Sequence, residues 1–185
     1  TFAIKNGEDF ITTDGETPDY KTAVEVVGKN LGLPFAKQGV ATFEFPHLVN
    51  LVEKNQFDTV YHEHYSYLSL TSVKAIFETN NLSIFDVEEL PTHGGSLRVY
   101  AQRSDSGEQP VGSNVVDLLV REEKIGLKTV DYYAGFQQKA EKIKLSLLEF
   151  LITAKREGKQ VAGYGAAAKG NTMINFSGVG SDLIN

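Results

Sequence analysis

LSIFDVEELPTHGGSLRVYAQ, residues 82–102, contains two runs in which apolar and polar residues alternate. Alternation with a period of two is typical of β-strands that bury one face. The runs cover residues 82–90 and 96–102, and the residues between them include a proline and two adjacent glycines, which favour a tight connection. The segment therefore predicts an antiparallel pair of strands.

Secondary structure is predicted on both sides of this pair from periodicity, caps and turn residues. In chain order, the predicted elements are a hairpin over residues 1–16 with an Asn6-Gly7 turn, a helix opened by Thr17-Pro18 and closed at 31–34, a strand over 39–45, a short helix over 47–55, a helix capped by Thr71-Ser72 and ended by Asn80-Asn81, helices over 115–125 and 130–157, a strand over 159–164, and a helix from near Asn171. The last helix, strand, glycine-rich turn and helix have the order that opens an α/β nucleotide-binding unit. We therefore predict an α/β fold: a mixed sheet with flanking helices, followed by a partial Rossmann-like unit.

The domain organisation is predicted from changes in composition and motif content. Residues 1–38 carry no recognisable motif, and residues 39–113 carry a histidine-containing loop at 57–70. Residues 104–113 (SDSGEQPVGS) are rich in glycine, serine and proline and predict a linker. Residues 114–185 are then expected to form a helical segment and the start of the Rossmann-like domain.

The composition of the 185 residues excludes several classes of function. The absence of cysteine excludes disulfides, thiolate catalysis and cysteine-ligated zinc. A net charge of −6 at pH 7 argues against a general nucleic-acid binder, whose binding face would be basic. No apolar run approaches the roughly 18 residues of a membrane span, and no signal peptide is visible. We therefore expect a cytoplasmic protein without nucleic-acid or membrane partners; the sequence leaves the oligomeric state open.

The densest cluster of groups able to move a proton near neutral pH is FDTVYHEHYSYLSL, residues 57–70. Abstracting a proton next to a carbonyl requires a base with a near-neutral pKa, a group that orients it, and a donor to the enolate oxygen. A histidine, a neighbouring carboxylate and a tyrosine supply these three groups. The residues alone leave two other interpretations open: aromatic packing with solvated histidines, or a metal site formed by His62, His64 and either His93 or His47.

Two glycine-containing segments are candidates for binding an anion. In THGGSLR, residues 92–98, the paired glycines let backbone N–H groups approach an anion, and Arg98 could fork onto phosphate or carboxylate. In GYGAAAKGN, residues 163–171, a predicted strand precedes and a predicted helix follows, as a phosphate-binding turn requires. The second segment lacks the acidic ribose-binding residue of a dinucleotide site and the GK[ST] ending of a nucleoside triphosphate loop. The alternatives are a plain hairpin turn and a tight strand–helix corner.

These motifs, in this order, resemble one family. QFDTVYHEHYSYLSL, then PTHGGSLRVY, then a long helix and VAGYGAAAKGNTMIN are similar to segments of the sugar C-methyltransferases that act on nucleotide-linked 4-keto deoxysugars. The similarity runs from Gly39 to Asn175. The resemblance implies deprotonation of the sugar at C3, next to the C4 ketone, and methyl transfer from S-adenosylmethionine to the resulting enolate.

The resemblance also implies roles for individual residues. Tyr61, Glu63 and His64 fall on the family's catalytic tyrosine, glutamate and histidine. Either His64 or Tyr61 would be the base, the other would stabilise the enolate, and Glu63 would orient them, with His62 the less expected participant. The residues implied to bind the nucleotide-sugar substrate lie in the two glycine-containing segments: His93, Gly94, Gly95, Ser96, Arg98, Tyr164, Gly165, Lys169 and Asn171.

Departures from the family pattern concern mainly the methyl donor. The family's cysteine-rich zinc module and its S-adenosylmethionine glycine loop are not found in residues 1–38, and Tyr20 stands where a family histidine is expected. Family members also continue beyond the last helix. We therefore expect a fragment, or a truncated or rearranged relative. Two further functions stay open: a non-catalytic nucleotide-sugar-binding module, and a metal-dependent enzyme that uses His62, His64 and His93.

Overall fold

The computed structural model describes residues 2–6, 9–13, 39–62, 64–165 and 167–185. These residues form two compact units. The first contains the described residues of Thr1–Val49 and Tyr65–Lys128, and the second contains those of Asn50–His64 and Thr129–Asn185. The chain passes between the units after Val49, after His64 and after Lys128. The sequence instead predicted a linker at 104–113.

The first unit is built on an antiparallel sheet. Its described strands are β1 (Phe2–Asn6), β2 (Asp9–Thr13), β3 (Val40–Pro46), β4 (Leu82–Leu90) and β5 (Ser96–Arg103), in the order β2-β1-β3-β5-β4. The predicted antiparallel pairing of β4 with β5 is confirmed, and Leu90 lies opposite Ser96. β1 and β2 also pair antiparallel, as the predicted hairpin requires. The prediction of a mixed sheet is wrong for these strands, because every pairing between them is antiparallel.

Strand β5 lies between β3 and β4 and supplies a fully buried row of side chains. Leu97, Val99 and Ala101 alternate along the strand, and each is 0% exposed. The residues between them point to the opposite face, because successive side chains of a strand alternate across the sheet. The buried row belongs to a core that includes Phe43 and Phe77, whose ring centres lie 4.8 Å apart. The alternation seen in the sequence therefore marks the core face of the sheet.

The described helices, in chain order, are α1 (Leu48–Glu53), α2 (Leu70–Thr79), α3 (Ser113–Lys124), α4 (Phe136–Arg156) and α5 (Ala168–Ser177). The cap of α2 was predicted at Thr71-Ser72 but is formed by Ser69. The Ser69 hydroxyl accepts from the N–H of Ser72, and the Ser72 hydroxyl accepts from the N–H of Ser69. This reciprocal capping satisfies N–H groups that the helix itself leaves without partners. The helix predicted from Thr17-Pro18 and the turn residue Gly7 lie outside the described residues.

The predicted linker at 104–113 is held in the first unit by hydrogen bonds. The buried side chain of Gln102 bonds both backbone groups of Gln109. Its Nε2 donates to the Gln109 carbonyl at 2.8 Å, and its Oε1 accepts from the Gln109 N–H at 2.9 Å. Helix α3, which follows, therefore belongs to the first unit and contributes Val115 and Leu118 to its core.

The second unit contains α4, α5 and a short 3-10 helix over Phe57–Thr59. The ring of Phe57 packs against that of Phe176 in α5, with ring centres 4.9 Å apart. The single helix predicted over 130–157 is interrupted, because α4 begins only after Gly135 and glycine disfavours a helix interior. Among the helices of the described residues, none combines the length and the apolar character that crossing a membrane requires.

Residues 159–164, predicted as a strand, are not among the described strands but form part of a strand-like pairing. The N–H of Asn185 donates to the carbonyl of Val161, and the N–H of Gly163 donates to the carbonyl of Asn185, both at 3.0 Å. In a pair of parallel strands, one residue bonds through its N–H and its carbonyl to two residues that lie two positions apart on the other strand. Asn185 bonds to Val161 and Gly163 in this way. Helix α5 lies between the paired residues in sequence.

Candidate active site

Tyr61, His62 and His64 follow the 3-10 helix at Phe57–Thr59. The N–H of Val60 donates to the carbonyl of Phe57, and the N–H of His64 donates to the carbonyl of Tyr61, both at 3.0 Å. Phe57 and Thr59 are buried, whereas Tyr61 and His64 are only half-buried. Buried anchor residues therefore hold two partly accessible rings. We call Tyr61, His62 and His64 the reactive turn.

The hydrogen bonding of His64 fixes its tautomer. Its Nδ1 lies 2.7 Å from the carbonyl oxygen of Thr59. A carbonyl oxygen only accepts hydrogen bonds, so Nδ1 carries the proton and the neutral ring has its lone pair on Nε2. Thr59 is itself held, because its hydroxyl donates to the carbonyl of Gln56 at 2.7 Å. The backbone thus holds His64 in the tautomer that a base acting through Nε2 requires.

Tyr61 and His64, the two residues predicted to share the proton chemistry, are in contact. Their ring centres lie 4.4 Å apart, with the ring planes inclined by 37°. The ring of His62 lies 6.2 Å from that of Tyr61, and His62 is exposed. Glu63 is outside the described residues, so its orienting role stays a prediction.

The turn between β4 and β5 depends on its two glycines. Gly94 has a φ of +89° and Gly95 a φ of +126°, conformations that residues with a side chain rarely adopt. The N–H of Gly95 donates to the carbonyl of Thr92 at 2.9 Å, and the hydroxyl of the buried Ser96 donates to the same carbonyl at 3.1 Å. The side chain of His93 is outside the described ones. The glycines therefore shape a tight turn, and its role in binding an anion stays a prediction.

Arg98 lies in an ion-pair cluster on the outer face of the sheet. Glu44 and Glu88 are the residues directly opposite it on β3 and β4. Its guanidinium lies 3.0 Å from a carboxylate oxygen of Glu44 and 3.4 Å from one of Glu88. The hydrogen bond with Glu44 raises the pKa of Arg98. To hold a substrate phosphate, as the sequence predicts, Arg98 would exchange one of these carboxylates for it.

The glycine-containing segment at 163–171 ends in the first turn of helix α5, which begins at Ala168. Tyr164 is fully exposed, and Gly165 has a φ of +134°. The N-cap of α5 is Ala167, whose side chain has no acceptor for the N–H groups of the first turn. Lys169 is half-buried in that turn, and Asn171 is exposed. A helix N-terminus carries a partial positive charge, so this arrangement suits an anion.

His47 and Glu122 form a buried pair; the sequence suggested His47 only as an alternative metal ligand and did not single out Glu122. His47 is 1% exposed and Glu122 is 0% exposed, and His47 Nε2 donates to a Glu122 oxygen at 3.0 Å. The same carboxylate accepts from the N–H of Leu70 at 2.9 Å, and from the N–H and the hydroxyl of Thr71 at 2.8 and 2.6 Å. The sequence does contain a signal: Glu122 follows Leu118 by one helical turn and so falls on the buried face of α3.

The described residues give no support to a metal site. In the part of the chain that the structure describes, no group of three or more His, Cys, Asp or Glu side chains is arranged to hold a metal ion. His47, considered as a third ligand, uses its Nε2 to bond Glu122.

Glu122 gives the first unit an acid-sensitive stability. Burial alone would raise the pKa of Glu122, but hydrogen bonds from His47, Thr71 and Leu70 outweigh burial and lower the pKa below its ordinary value of 4.5. A carboxylate whose native pKa is lowered contributes stability that is fully present above its unfolded pKa and is lost as the pH falls through the native value. The contribution of Glu122 is therefore complete at neutral pH and disappears in acid.

We expect Glu122→Gln, which cannot titrate, to lower the free energy of unfolding most at neutral pH. The deficit relative to the unchanged chain should shrink as the pH falls below 4.5, because protonation then removes the advantage of the carboxylate. Urea unfolding of both chains between neutral pH and about pH 3 measures the difference. A deficit that stays constant over this range would contradict the assignment.

Comparison with known proteins identifies the family to which the chain belongs. Residues 91–185 match the family of the C-methyltransferase C-terminal domain, and the chain belongs to this family. It is also 36% identical, over 149 residues, to C-methyltransferase NovU of Streptomyces niveus. That alignment covers 80% of this chain and 35% of NovU, so the chain spans about a third of the length of this relative. The resemblance predicted from the three motifs is confirmed at the level of the family.

Proposed function

We propose that this chain is the proton-abstracting and substrate-binding part of a C-methyltransferase. Its substrate would be a nucleotide-linked 4-keto deoxysugar, and the reaction a methyl transfer from S-adenosylmethionine to C3 through an enolate. The observation that carries the proposal is the backbone-fixed tautomer of His64, with the ring of Tyr61 beside it. Membership in the C-methyltransferase C-terminal domain family supports it.

His64 is the proposed base. General base catalysis works best with a group whose pKa lies near the operating pH, and histidine is such a group. Since Nδ1 of His64 is committed to the carbonyl of Thr59, 2.7 Å away, the proton from C3 would move to Nε2. The same carbonyl then stabilises the positive charge that develops on the ring. This geometry favours His64 over Tyr61, the alternative that the sequence left open.

Tyr61 is the proposed donor to the enolate. When the C3–H bond breaks, its electron pair forms the C3–C4 double bond, and the C4 carbonyl oxygen becomes the enolate oxygen. A hydrogen bond from the Tyr61 hydroxyl would stabilise that charge more strongly than it stabilises the ketone. Glu63 is proposed to orient the pair. S-adenosylmethionine, when bound, supplies an electrophilic methyl group.

The described residues fit a nucleotide sugar better than they fit the methyl donor. The turn before α5 presents backbone N–H groups and Lys169, which suit the negative phosphates of a nucleotide and not the positive sulfonium of S-adenosylmethionine. The parallel pairing of Val161 and Gly163 with Asn185 around α5 supports a Rossmann-like unit, in which a phosphate lies at such a turn. We therefore assign the turn to the substrate and assign no residue of this chain to the donor.

Substrate binding is proposed for both glycine-containing segments, on the basis of the family resemblance. The residues proposed to contact the nucleotide sugar are His93, Gly94, Gly95, Ser96, Arg98, Tyr164, Gly165, Lys169 and Asn171.

Replacing Lys169 by alanine is expected to weaken binding of a nucleotide-linked 4-keto-6-deoxyglucose by roughly 10- to 150-fold. A hydrogen bond to a charged group contributes about 1.5–3 kcal/mol, which corresponds to this range. Titration calorimetry with the chain and its variants measures the change. Lys159→Ala is the matched control, because Lys159 is an exposed lysine of the same unit that pairs with Glu157. Equal weakening by both variants would contradict the assignment.

Hydrogen exchange at C3 tests the proposed function and separates it from a non-catalytic binding module. In D₂O without a methyl donor, a protein that forms the enolate returns a solvent deuteron to C3, and NMR detects the loss of the C3 proton signal. A binding module would retain the sugar nucleotide without accelerating this exchange. Binding without accelerated exchange would therefore exclude the catalytic proposal and favour the module.

A further inference from the structure

We propose that Glu122 is a positioning residue for the reactive turn, because its buried carboxylate holds together the two ends of the segment that carries this turn. The segment is residues 48–69, with His47 immediately before it and α2 immediately after it. The inference rests on the proposed function, since it gives Glu122 a role in the reaction that Tyr61 and His64 are proposed to perform.

One carboxylate bonds both flanks of the segment. Before the segment, His47 donates from Nε2 to Glu122 at 3.0 Å. After it, Leu70 donates its N–H at 2.9 Å, and Thr71 donates its N–H and its hydroxyl at 2.8 and 2.6 Å. Four donors therefore converge on two oxygen atoms, although the donor residues lie 51 to 75 positions from Glu122 in the sequence.

Backbone hydrogen bonds reinforce this junction, the place where Glu122 joins His47 to Leu70 and Thr71. The N–H of Leu48 donates to the carbonyl of Leu68 at 2.9 Å, which joins the first and nearly the last residue of the segment directly. The N–H of His47 donates to the carbonyl of Gly95 at 3.0 Å, which ties the junction to the glycine turn between β4 and β5. The segment thus begins and ends at one place, and its ends cannot separate without breaking buried hydrogen bonds.

A carboxylate is the group that this junction requires. All four groups that contact Glu122 are hydrogen-bond donors, and an ionised carboxylate accepts hydrogen bonds on both of its oxygen atoms and donates none. Its charge also lies at the N-terminus of α2, where the helix dipole favours an anion. A buried charge is a poor device for stability alone, because apolar side chains of similar volume often stabilise a core equally well. The arrangement is better explained by a need to fix the conformation of the chain at this point.

Fixing the ends limits the conformations of the segment between them. A loop whose ends are joined has lost conformational entropy before any ligand binds. A reactive group must also be held within a fraction of an ångström of its productive position, and a misplacement of about 1 Å costs roughly 100-fold in rate. Glu122 would act on Tyr61 and His64 through the ends of the segment.

The test compares Glu122→Gln and Thr71→Val with Gln102→Leu. Glutamine keeps the size of Glu122 but turns an NH₂ group toward two of the four donors, and valine removes one donor while keeping the shape of Thr71. Gln102→Leu is the matched control, because it removes two hydrogen bonds that the buried Gln102 makes in the first unit, outside the segment. Each variant is assayed for C3 deuterium exchange with a nucleotide-linked 4-keto-6-deoxyglucose, and NMR measures amide exchange at the N–H groups of Val60 and His64.

We expect Glu122→Gln to lower kcat for C3 exchange by roughly 10- to 100-fold with KM unchanged, and Thr71→Val to lower it less. Amide exchange at Val60 and His64 should become faster in Glu122→Gln, while Gln102→Leu should match the unchanged chain in both readouts. An equal loss of kcat in Gln102→Leu would show general destabilisation and overturn the inference.

The inference and the proposed function fail in different ways. Wild-type kcat and amide protection in Glu122→Gln, together with loss of exchange in a His64 variant, would overturn the role of Glu122 and leave the proposed function standing. If the unchanged chain does not accelerate C3 exchange, the proposed function is wrong. The amide measurement then decides the anchoring by itself, and unchanged protection at Val60 and His64 overturns it.

Discussion

Replacing His64 by glutamine is expected to slow C3 deuterium exchange by roughly 100- to 10,000-fold, the contribution that a positioned general base makes. Glutamine is close to histidine in size, and its amide can still donate to the carbonyl of Thr59, which accepts from His64 Nδ1 at 2.7 Å. It has no lone pair of near-neutral basicity at the position of Nε2. The loss should therefore appear in kcat, with little change in the affinity for the sugar nucleotide.

His62→Gln is the matched control for this experiment. His62 lies in the same turn and is exposed, and its ring is 6.2 Å from that of Tyr61. We expect it to retain exchange close to that of the unchanged chain. Tyr61→Phe tests the alternative assignment, because a tyrosine base would lose exchange in that variant while His64→Gln retained most of it. Equal exchange rates in His64→Gln and His62→Gln would contradict the role of His64.

Replacing Leu97 by alanine is expected to lower the free energy of unfolding by about 2–5 kcal/mol, the cost of deleting a large buried side chain. Leu97 is 0% exposed on β5, which has a neighbouring strand on each side, so the surrounding side chains have little freedom to fill the space. Urea unfolding followed by circular dichroism measures the change.

Val116→Ala is the control for the core substitution. Val116 lies on α3 in the same unit and is 52% exposed, so its truncation should change the free energy of unfolding by less than about 0.5 kcal/mol. A cost for Leu97→Ala as small as that of the control would contradict the burial of Leu97 on β5 between β3 and β4.

The sequence predicted those parts of the fold that depend on local pattern. The alternation at 82–102 identified β4, β5 and the pairing between them, because a hairpin needs only neighbouring residues to specify it. The mixed sheet was predicted wrongly, because the direction of a strand depends on distant partners. β3 pairs with β1 on one side and with β5 on the other, and no local periodicity encodes that choice.

Helix boundaries show the same limit on a smaller scale. Ser69, Thr71 and Ser72 are all residues that can cap a helix, and the sequence does not decide among them. In the structure Ser69 is the cap, and the N–H and hydroxyl of Thr71 donate to Glu122. That contact spans 51 positions and was invisible in the local pattern.

The sequence likewise predicted some features of the candidate site and not others. Tyr61 and His64 were predicted as site residues from residue types and from the family resemblance; the structure places their rings 4.4 Å apart, and their catalytic roles stay a prediction. The tautomer of His64 was not predictable, since it depends on where the carbonyl of Thr59 points. Glu122 was not predicted, because its place on the apolar face of α3 indicates burial but does not reveal which distant groups donate hydrogen bonds to it.

The position of deuterium in the recovered sugar nucleotide tests the central claim most directly. The C4 ketone acidifies the protons at both C3 and C5, so an unselective base would exchange both. With the unchanged chain in D₂O and no methyl donor, the proposed role of His64 predicts deuterium at C3, with C5 unlabelled, and loss of that label in His64→Gln. Label at C5 alone, or a C3 label that His64→Gln leaves unchanged, would contradict it.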